Sequence, residues 1–334
     1  MAIIEESTIK EMAVVQELFD VKGANSKDFR PGEVSIMVNH SPRDLIGEYG
    51  IFRRSAKYAI REPRSDTVTI EGSPSKVENL QPSDTWEKGS EILFGQVYQI
   101  KEISKDGAWM KIHVGGYGTE GWIELHQHAP SSREQFEFFS NNSHPMLASF
   151  KGKLESLSAG EREVPLFVGA SLPTLNRQGI LEIGGEQFRV VEGTPVGGWL
   201  RPTVSNFLGI VKETEGLPYE WGGKGGAADC SGLTAVAFSF FGIKLPHSSG
   251  QQSKRGDPVS SVAESRTGDV IAYGKPEKPG TVNHIGLIVR DGEKVNLVHA
   301  SQYARVNELD AEGLYNKTVN LAVRAIRRLV EFSS

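Results

Sequence analysis

The stretch from Leu233 to Gly242 limits the fold more than any other part of the chain. Leu233, Val236, Ala237, Phe240 and Phe241 recur at helical spacing, and Gly242 stands where a C-terminal glycine cap belongs. The spacing predicts a helix with one apolar face. Three runs follow it, Asp269–Tyr273, His284–Val289 and Val295–Ala300, each short and β-rich enough to be a strand. A helix laid on an antiparallel sheet, an α+β core, is what this order implies. A further helix is expected just upstream, over Val204 to Glu213.

Before Pro202 the texture is different. At 334 residues the chain is longer than one hydrophobic core usually serves, so several modules are expected. Thr67–Ile70, Val97–Ile100, Trp109–Val114 and Gly121–Ile123 alternate in character and are broken by Gly, Asp and Lys, which predicts a small antiparallel barrel over 67–130. A polar helical link around Ser132 to Phe139 leads to a second β-rich stretch, 146–200. Its strands, Val164–Val168, Gly179–Ile183 and Gln187–Val191, predict a second small barrel. The α+β segment is then 201–334. Residues 1–66 carry no readable function, although Thr8 to Phe19 suits a helix.

A net charge of -5 gives no basic field to draw phosphates, which argues against a nucleic-acid partner. No apolar run approaches the roughly 20 residues that a membrane span needs. The start, Met1 to Glu6, has no basic segment leading into an apolar one, so a cytoplasmic protein is expected, with export after removal of a leader as the alternative. The single cysteine forbids an intramolecular disulfide and a cysteine-based zinc cluster. Stability must come from packing.

That cysteine is the chemical landmark. A lone Cys is ordinarily a small buried hydrophobe. Here Asp229-Cys230-Ser231-Gly232 follows a glycine-rich run, Tyr219-Glu220-Trp221-Gly222-Gly223-Lys224-Gly225-Gly226, which puts the sulfur in the first turn of the predicted helix. A helix N-terminus favours an anion and is expected to lower the thiol pKa. A nucleophilic thiol also needs a base to take its proton and return it to a leaving amine. His284 opens one predicted strand and His299 lies at the end of the next, so both can sit on one sheet facing the cysteine helix. Asp229 has a purely structural reading, since Asp is a preferred N-cap that contributes about 1 kcal/mol. Beside the sulfur its charge raises the thiol pKa unless a cation neutralises it.

Six segments, in this order, carry a resemblance: Pro218-Tyr219-Glu220-Trp221-Gly222-Gly223, Asp229-Cys230-Ser231-Gly232, Leu245-Pro246-His247-Ser248-Ser249-Gly250-Gln251-Gln252, Gly268-Asp269-Val270, His284-Ile285-Gly286-Leu287 and Val298-His299-Ala300-Ser301. With these the C-terminal third resembles the NlpC/P60 cysteine peptidases, papain-like enzymes of cell-wall turnover. The preceding stretches resemble bacterial SH3-type modules, and the whole is similar to the γ-D-glutamyl-L-diamino acid endopeptidases. The resemblance implies an α+β, papain-like NlpC/P60 catalytic domain behind two small SH3-like β-barrels. It implies a wall-peptide substrate, L-Ala-γ-D-Glu followed by a diamino acid, with Cys230 attacking the γ-linked carbonyl. His284 would act as base and then acid, His299 would orient it, and the Tyr219 hydroxyl would join the Cys230 amide at the oxyanion. It further implies that Asp229, Ser231 and Ser249 hold the free N-terminal amine, walled off by Glu87 and Tyr117 of the first module, with Glu91 competing for the place of Glu87. Taken alone, Tyr219 reads as a packing residue, and Glu87 and Tyr117 as a solvated charge and a turn residue.

Other chemistries find no footing. Gly222-Gly223-Lys224-Gly225 lacks the spacing of a phosphate loop, and neither a Gly-x-Ser-x-Gly elbow nor a His-Glu-x-x-His helix occurs. His126-Gln127-His128 reads as a loop end rather than a metal pair, and no metal or cofactor is required. Two rivals to the peptide-recycling reading are a hydrolase of intact wall, anchored by its β modules, and a non-catalytic wall-peptide binding protein. An acyltransferase on the same scaffold is a third, but here the Cys precedes both histidines, as in the peptidases.

Overall fold

The computed structural model describes residues 45–52, 59–63, 86–104, 107–125, 128–157, 163–183, 185–315 and 320–333. The strand predicted over Thr67–Ile70, the helix suited to Thr8–Phe19, and His126 lie outside them.

The first β-rich region is built from β1 (Tyr49–Ile51), β2 (Ala59–Pro63), β3 (Trp86–Glu91), β4 (Val97–Ile103), β5 (Trp109–Val114), β6 (Thr119–Glu124) and β7 (Pro130–Ser131). They form one antiparallel sheet in the order β3-β2-β6-β5-β4-β1-β7. Period-two burial drives it: Met110, Ile112 and Val114 of β5 turn inward while Trp109, Lys111 and His113 do not. The sheet draws in Tyr49–Ile51 and Ala59–Pro63, which lie before the Thr67 start read from sequence. Its end strands, β3 and β7, do not pair, so the described strands make an open sheet and not the closed barrel expected. β7 has two residues and begins with a proline, which cannot donate to a ladder.

Helix α1 (Arg133–Asn141) is the predicted polar link. It starts at a capping box, with the Ser132 side chain taking the Gln135 N–H and the Gln135 side chain taking the Ser132 N–H. The second β-rich region comprises β8 (Met146–Leu147), β9 (Lys151–Ser156), β10 (Glu163–Phe167), β11 (Ile180–Ile183), β12 (Glu186–Glu192) and β13 (Pro195–Val196). The strands read from sequence appear, but as a four-stranded sheet, β10-β9-β12-β11, with β13 and β8 paired separately. A second closed barrel is likewise not what these strands form.

The C-terminal region has α2 (Val204–Thr214), capped by Thr203, then α3 (Cys230–Ser239) and a single turn, α4 (Ser249–Gln252). Its strands are β14 (Asp257–Pro258), β15 (Val270–Gly274), β16 (His284–Asp291), β17 (Lys294–Ala300), β18 (Ala304–Glu308) and β19 (Ala322–Arg328), in the order β14-β19-β15-β16-β17-β18. Gly242 has φ +77, and a Cβ there would stand 2.8 Å from the Trp199 ring, so both backbone and space require glycine.

Helix α3 departs from expectation in one respect. It was expected to bury one face, yet all ten of its residues are buried. Ile285, Leu287, Val298 and Ala300 pack it from the sheet, Phe207 and Ile210 from α2, and Leu93, Met146, Val168 and Val196 from the two β-rich regions. Three stretches of chain therefore share one core across the helix. A fully covered Leu233 or Phe238 stabilises such a core by about 2 kcal/mol.

The seam also carries polar ties. Glu91, at the end of β3 and 3% exposed, accepts the N–H groups of Lys224 (2.8 Å) and Gly225 (3.0 Å) through one carboxylate oxygen. Lys244 donates to the carbonyls of Phe139 (3.0 Å) and Ser140 (2.5 Å). The Tyr117 ring lies between the ammonium groups of Lys224 and Lys244, each 5.5 Å from its centre.

Candidate active site

The site is organised by Asp229. Its backbone is extended at the N-cap of α3, and its carboxylate is filled by four donors from the chain itself. One oxygen takes the Gly232 N–H (2.6 Å) and the Ser231 hydroxyl (2.9 Å). The other takes the Gly222 N–H (2.9 Å) and the Nε2–H of His247 (2.8 Å). Burial pushes this carboxyl up, but the hydrogen bond and charge of His247, with the bonds from Gly232 and Ser231, outweigh it and hold the pKa below the ordinary value. The capping alternative therefore applies in full, and the same carboxylate pins the glycine-rich loop to the helix. Gly232 must be glycine, because a Cβ would lie 1.8 Å from the Gly223 carbonyl oxygen.

Cys230 follows, at the first position of α3 and 7% exposed. Its thiol is pushed up to about 12, first by burial and then by the charge of Asp229, against backbone N–H donors from Ile285, Ser231 and Cys230. The expected low pKa is not found in the unliganded site. Burial and the charge of Asp229 outweigh the backbone donors and disfavour the thiolate. The Ile285 amide that faces the sulfur belongs to the residue next to His284 in β16.

The two histidines share a sheet face, as expected, but it is the face turned away from α3. Gly286 stands opposite His299, and a Cβ on it would meet Leu297 at 2.6 Å and His299 at 3.0 Å. His284, Gly286 and Ile288 alternate with Ile285 and Leu287, which pack on the helix. His284 is the first residue of β16, at the rim of the sheet.

His284 Nε2 lies 2.7 Å from His299 Nδ1, and His299 Nε2 lies 2.9 Å from Asn307 Oδ1. An amide oxygen only accepts, so His299 donates from Nε2 and keeps Nδ1 as an acceptor. His284 then donates from Nε2, leaving its Nδ1 as an acceptor. Burial, then His299, lowers the His284 pKa to about 3, with Arg305 adding and Asp229 opposing. The ring of Tyr315, 4.5 Å from His299 and 6.0 Å from His284, closes one side.

Tyr219 is half-buried and packed against the core, its N–H bonded to the Gln302 carbonyl (3.0 Å). Burial, then the charges of Cys230 and Asp229, push its hydroxyl up to about 12, so it remains a donor. Ser231 is buried and spends its hydroxyl on Asp229, and Ser249 is the first residue of α4. Glu87 pairs with Glu62 across β3 and β2, while its side chain lies outside the described residues. Tyr117 is in the seam instead. Its hydroxyl is engaged by Gln96 and by Ser239, at the opposite end of α3 from Cys230.

Asn307 was not legible beforehand. It lies in β18, a polar segment whose place is set only by pairing with β17. His247 did have a signal, in the Pro246-His247 pair, but not its partner. Substituting Asn307→Leu is expected to lower kcat about tenfold with little change in KM, the worth of one hydrogen bond that fixes a tautomer. Steady-state kinetics across pH check this, and unchanged kcat and profile would remove Asn307 from the machinery.

The fold is papain-like, with a cysteine at a helix N-terminus and two histidines on the adjoining sheet. Residues 216–325 match the NlpC/P60 family, and the C-terminal part of this chain is an NlpC/P60 domain. Two relatives extend the likeness beyond that domain. The gamma-D-glutamyl-L-lysine dipeptidyl-peptidase of Bacillus cereus is 25% identical over 67% of this chain and 71% of its own length. The protein of the same name from Bacillus subtilis is 24% identical over 68% and 78%. Among solved structures, an NlpC/P60 family protein from Bacillus cereus superposes with a TM-score of 0.64 at 20% identity, covering 85% of this chain and all of the other. An NlpC/P60 endopeptidase from Photobacterium damselae gives 0.58 at 19% identity, covering 96% and 91%. These two share the fold.

Proposed function

We propose that this protein is a cysteine endopeptidase that hydrolyses the γ-D-glutamyl–L-diamino acid bond of cell-wall peptides bearing a free N-terminal L-Ala, in the recycling of those peptides. The observation that carries the reading is the run from His284 through His299 to Asn307, beginning beside Ile285, whose amide faces the Cys230 sulfur. His284 Nδ1 takes the Cys230 proton as sulfur attacks the carbonyl carbon. The negative oxygen is met by the Tyr219 hydroxyl and the free N–H at the start of α3. His284 returns the proton to the leaving amine, and water then cleaves the thioester. The two Bacillus relatives, named for a γ-D-glutamyl-L-lysine bond, align over two thirds of the chain, more than its NlpC/P60 match alone, which supports the reading for the whole protein.

One observation favours a second reading, a hydrolase of intact wall with no need of a free amine. The Asp229 carboxylate is already filled, and Lys224 is buried with its ammonium beside Asp229 and Glu91. Burial lowers that lysine to about 8 while the two carboxylates oppose the shift. An acidic pocket for a substrate ammonium is thus largely neutralised from within. Incubation with L-Ala-γ-D-Glu-diaminopimelate, its N-acetyl form and whole sacculi decides between them. Cleavage of the free tripeptide alone supports the first reading, equal cleavage of the acetylated peptide or release from sacculi supports the second, and cleavage of none refutes both.

A further inference from the structure

Beyond His299 the sheet continues into β18, where Arg305 pairs directly with His299 and Asn307 follows on the same face. Arg305 therefore stands in the same row as His299, one strand further across the sheet. Its charge is felt at His284, His299 and Tyr315. Its Nη2 donates to the Ser301 hydroxyl at 3.3 Å, and its Cζ lies 5.6 Å from the ring centre of Tyr303, itself 47% exposed. Its Nε is buried with no hydrogen-bond partner, and among the described residues no carboxylate pairs with it. An orphaned guanidinium fork matches the geometry of a carboxylate.

We propose that Arg305, with Ser301, recognises the carboxylate of the amino acid whose amine leaves. This rests on the peptidase reading above and adds the leaving-side specificity to it. The leaving amine must sit at His284 to receive its proton, so the residue carrying it extends past the histidines toward β18. There its α-carboxylate meets the fork. The glutamyl carboxylate belongs to the acyl side, on the Cys230 side of the cleft, and is out of this reach. Filling the fork also offsets the positive charge of Arg305, which adds to burial in lowering both imidazoles.

Three peptides separate the sources of carboxylate: L-Ala-γ-D-Glu-L-Lys, the same peptide with the lysine carboxylate amidated, and the same peptide with the glutamyl α-carboxylate amidated. The wild type is expected to lose about 10- to 100-fold in kcat/KM on lysine amidation, the worth of a charge-assisted pair. In Arg305→Met that ratio falls to near one, with Arg305→Lys in between, while the penalty for glutamyl amidation persists. Equal cleavage of acid and lysine amide by the wild type overturns the proposal with no variant needed. So does an Arg305→Met enzyme that keeps the preference or loses only the glutamyl one. Binding is read apart from turnover in Cys230→Ala protein, through the His284 and His299 imidazole resonances. L-Lysine is expected to shift them and L-lysinamide not, and both are silent after Arg305→Met. Failure of all cleavage with this response intact refutes the peptidase reading alone, whereas no response to L-lysine refutes the role of Arg305.

Discussion

Cys230→Ala is expected to reduce turnover of a γ-D-glutamyl peptide by on the order of 10⁴-fold or more, while the protein folds normally. The side chain that is lost is small and already buried beside Ser231 and Leu233, so truncation to alanine leaves little void. The chain has no other thiol to form a thioester. The same site predicts an unusual reactivity in the wild type. Because burial and then Asp229 hold the thiol up at about 12, alkylation by iodoacetamide is expected to be slow at neutral pH and to rise steadily through alkaline pH. A plateau already reached near pH 4 would show a stable resting ion pair and overturn the protonated-thiol description. Peptide hydrolysis surviving in Cys230→Ala would remove the cysteine mechanism altogether.

The second large effect is at Asp229. Replacing it with asparagine keeps the shape but turns one acceptor oxygen into an NH₂ donor. At least one backbone donor, either Gly232 or Gly222, is then left facing another donor in a buried site, while Ser231 or His247 must turn from donor to acceptor. The loss is expected to be about 3 kcal/mol, from unsatisfied buried groups and the broken pair with His247. With the loop released from the helix, kcat is expected to fall about 100-fold, the scale of a misplaced reacting group. Calorimetry and kinetics measure both, and a variant as stable as the wild type would show that the carboxylate does not hold the loop. The pH dependence has a definite sign. The folded carboxyl lies below its ordinary 3.8, so its stabilisation is present above that value and is lost as pH falls beneath it toward the lower folded pKa.

The Asp229 contacts also explain why a carboxylate beside a nucleophile is tolerated. Its charge raises the thiol pKa, an anticatalytic effect, yet the same charge favours a protonated His284. The net result suits a mechanism in which the proton moves as the bond forms rather than one that stores a thiolate in the empty enzyme.

Periodicity in the chain located α3, its glycine cap and the strands carrying His284 and His299, because helix and strand periods are properties of consecutive residues. The order of Cys230, His284 and His299 was visible for the same reason, and so was the N-cap at Asp229. Contacts between distant segments were not. Asn307 and Arg305 enter the site only through the register of β18 on β17, and Glu91 ties down the Lys224 loop from more than a hundred residues away. Tyr117 was drawn toward the catalytic cleft by its local pattern, but the packing of the first sheet puts it between Lys224 and Lys244. The burial that raises Cys230 comes from elements on several sides of α3, and no reading of its neighbours in sequence could supply it. Sequence determined the elements that carry the candidate residues; tertiary structure decided what those residues meet, because desolvation and hydrogen bonding depend on what surrounds a group in space.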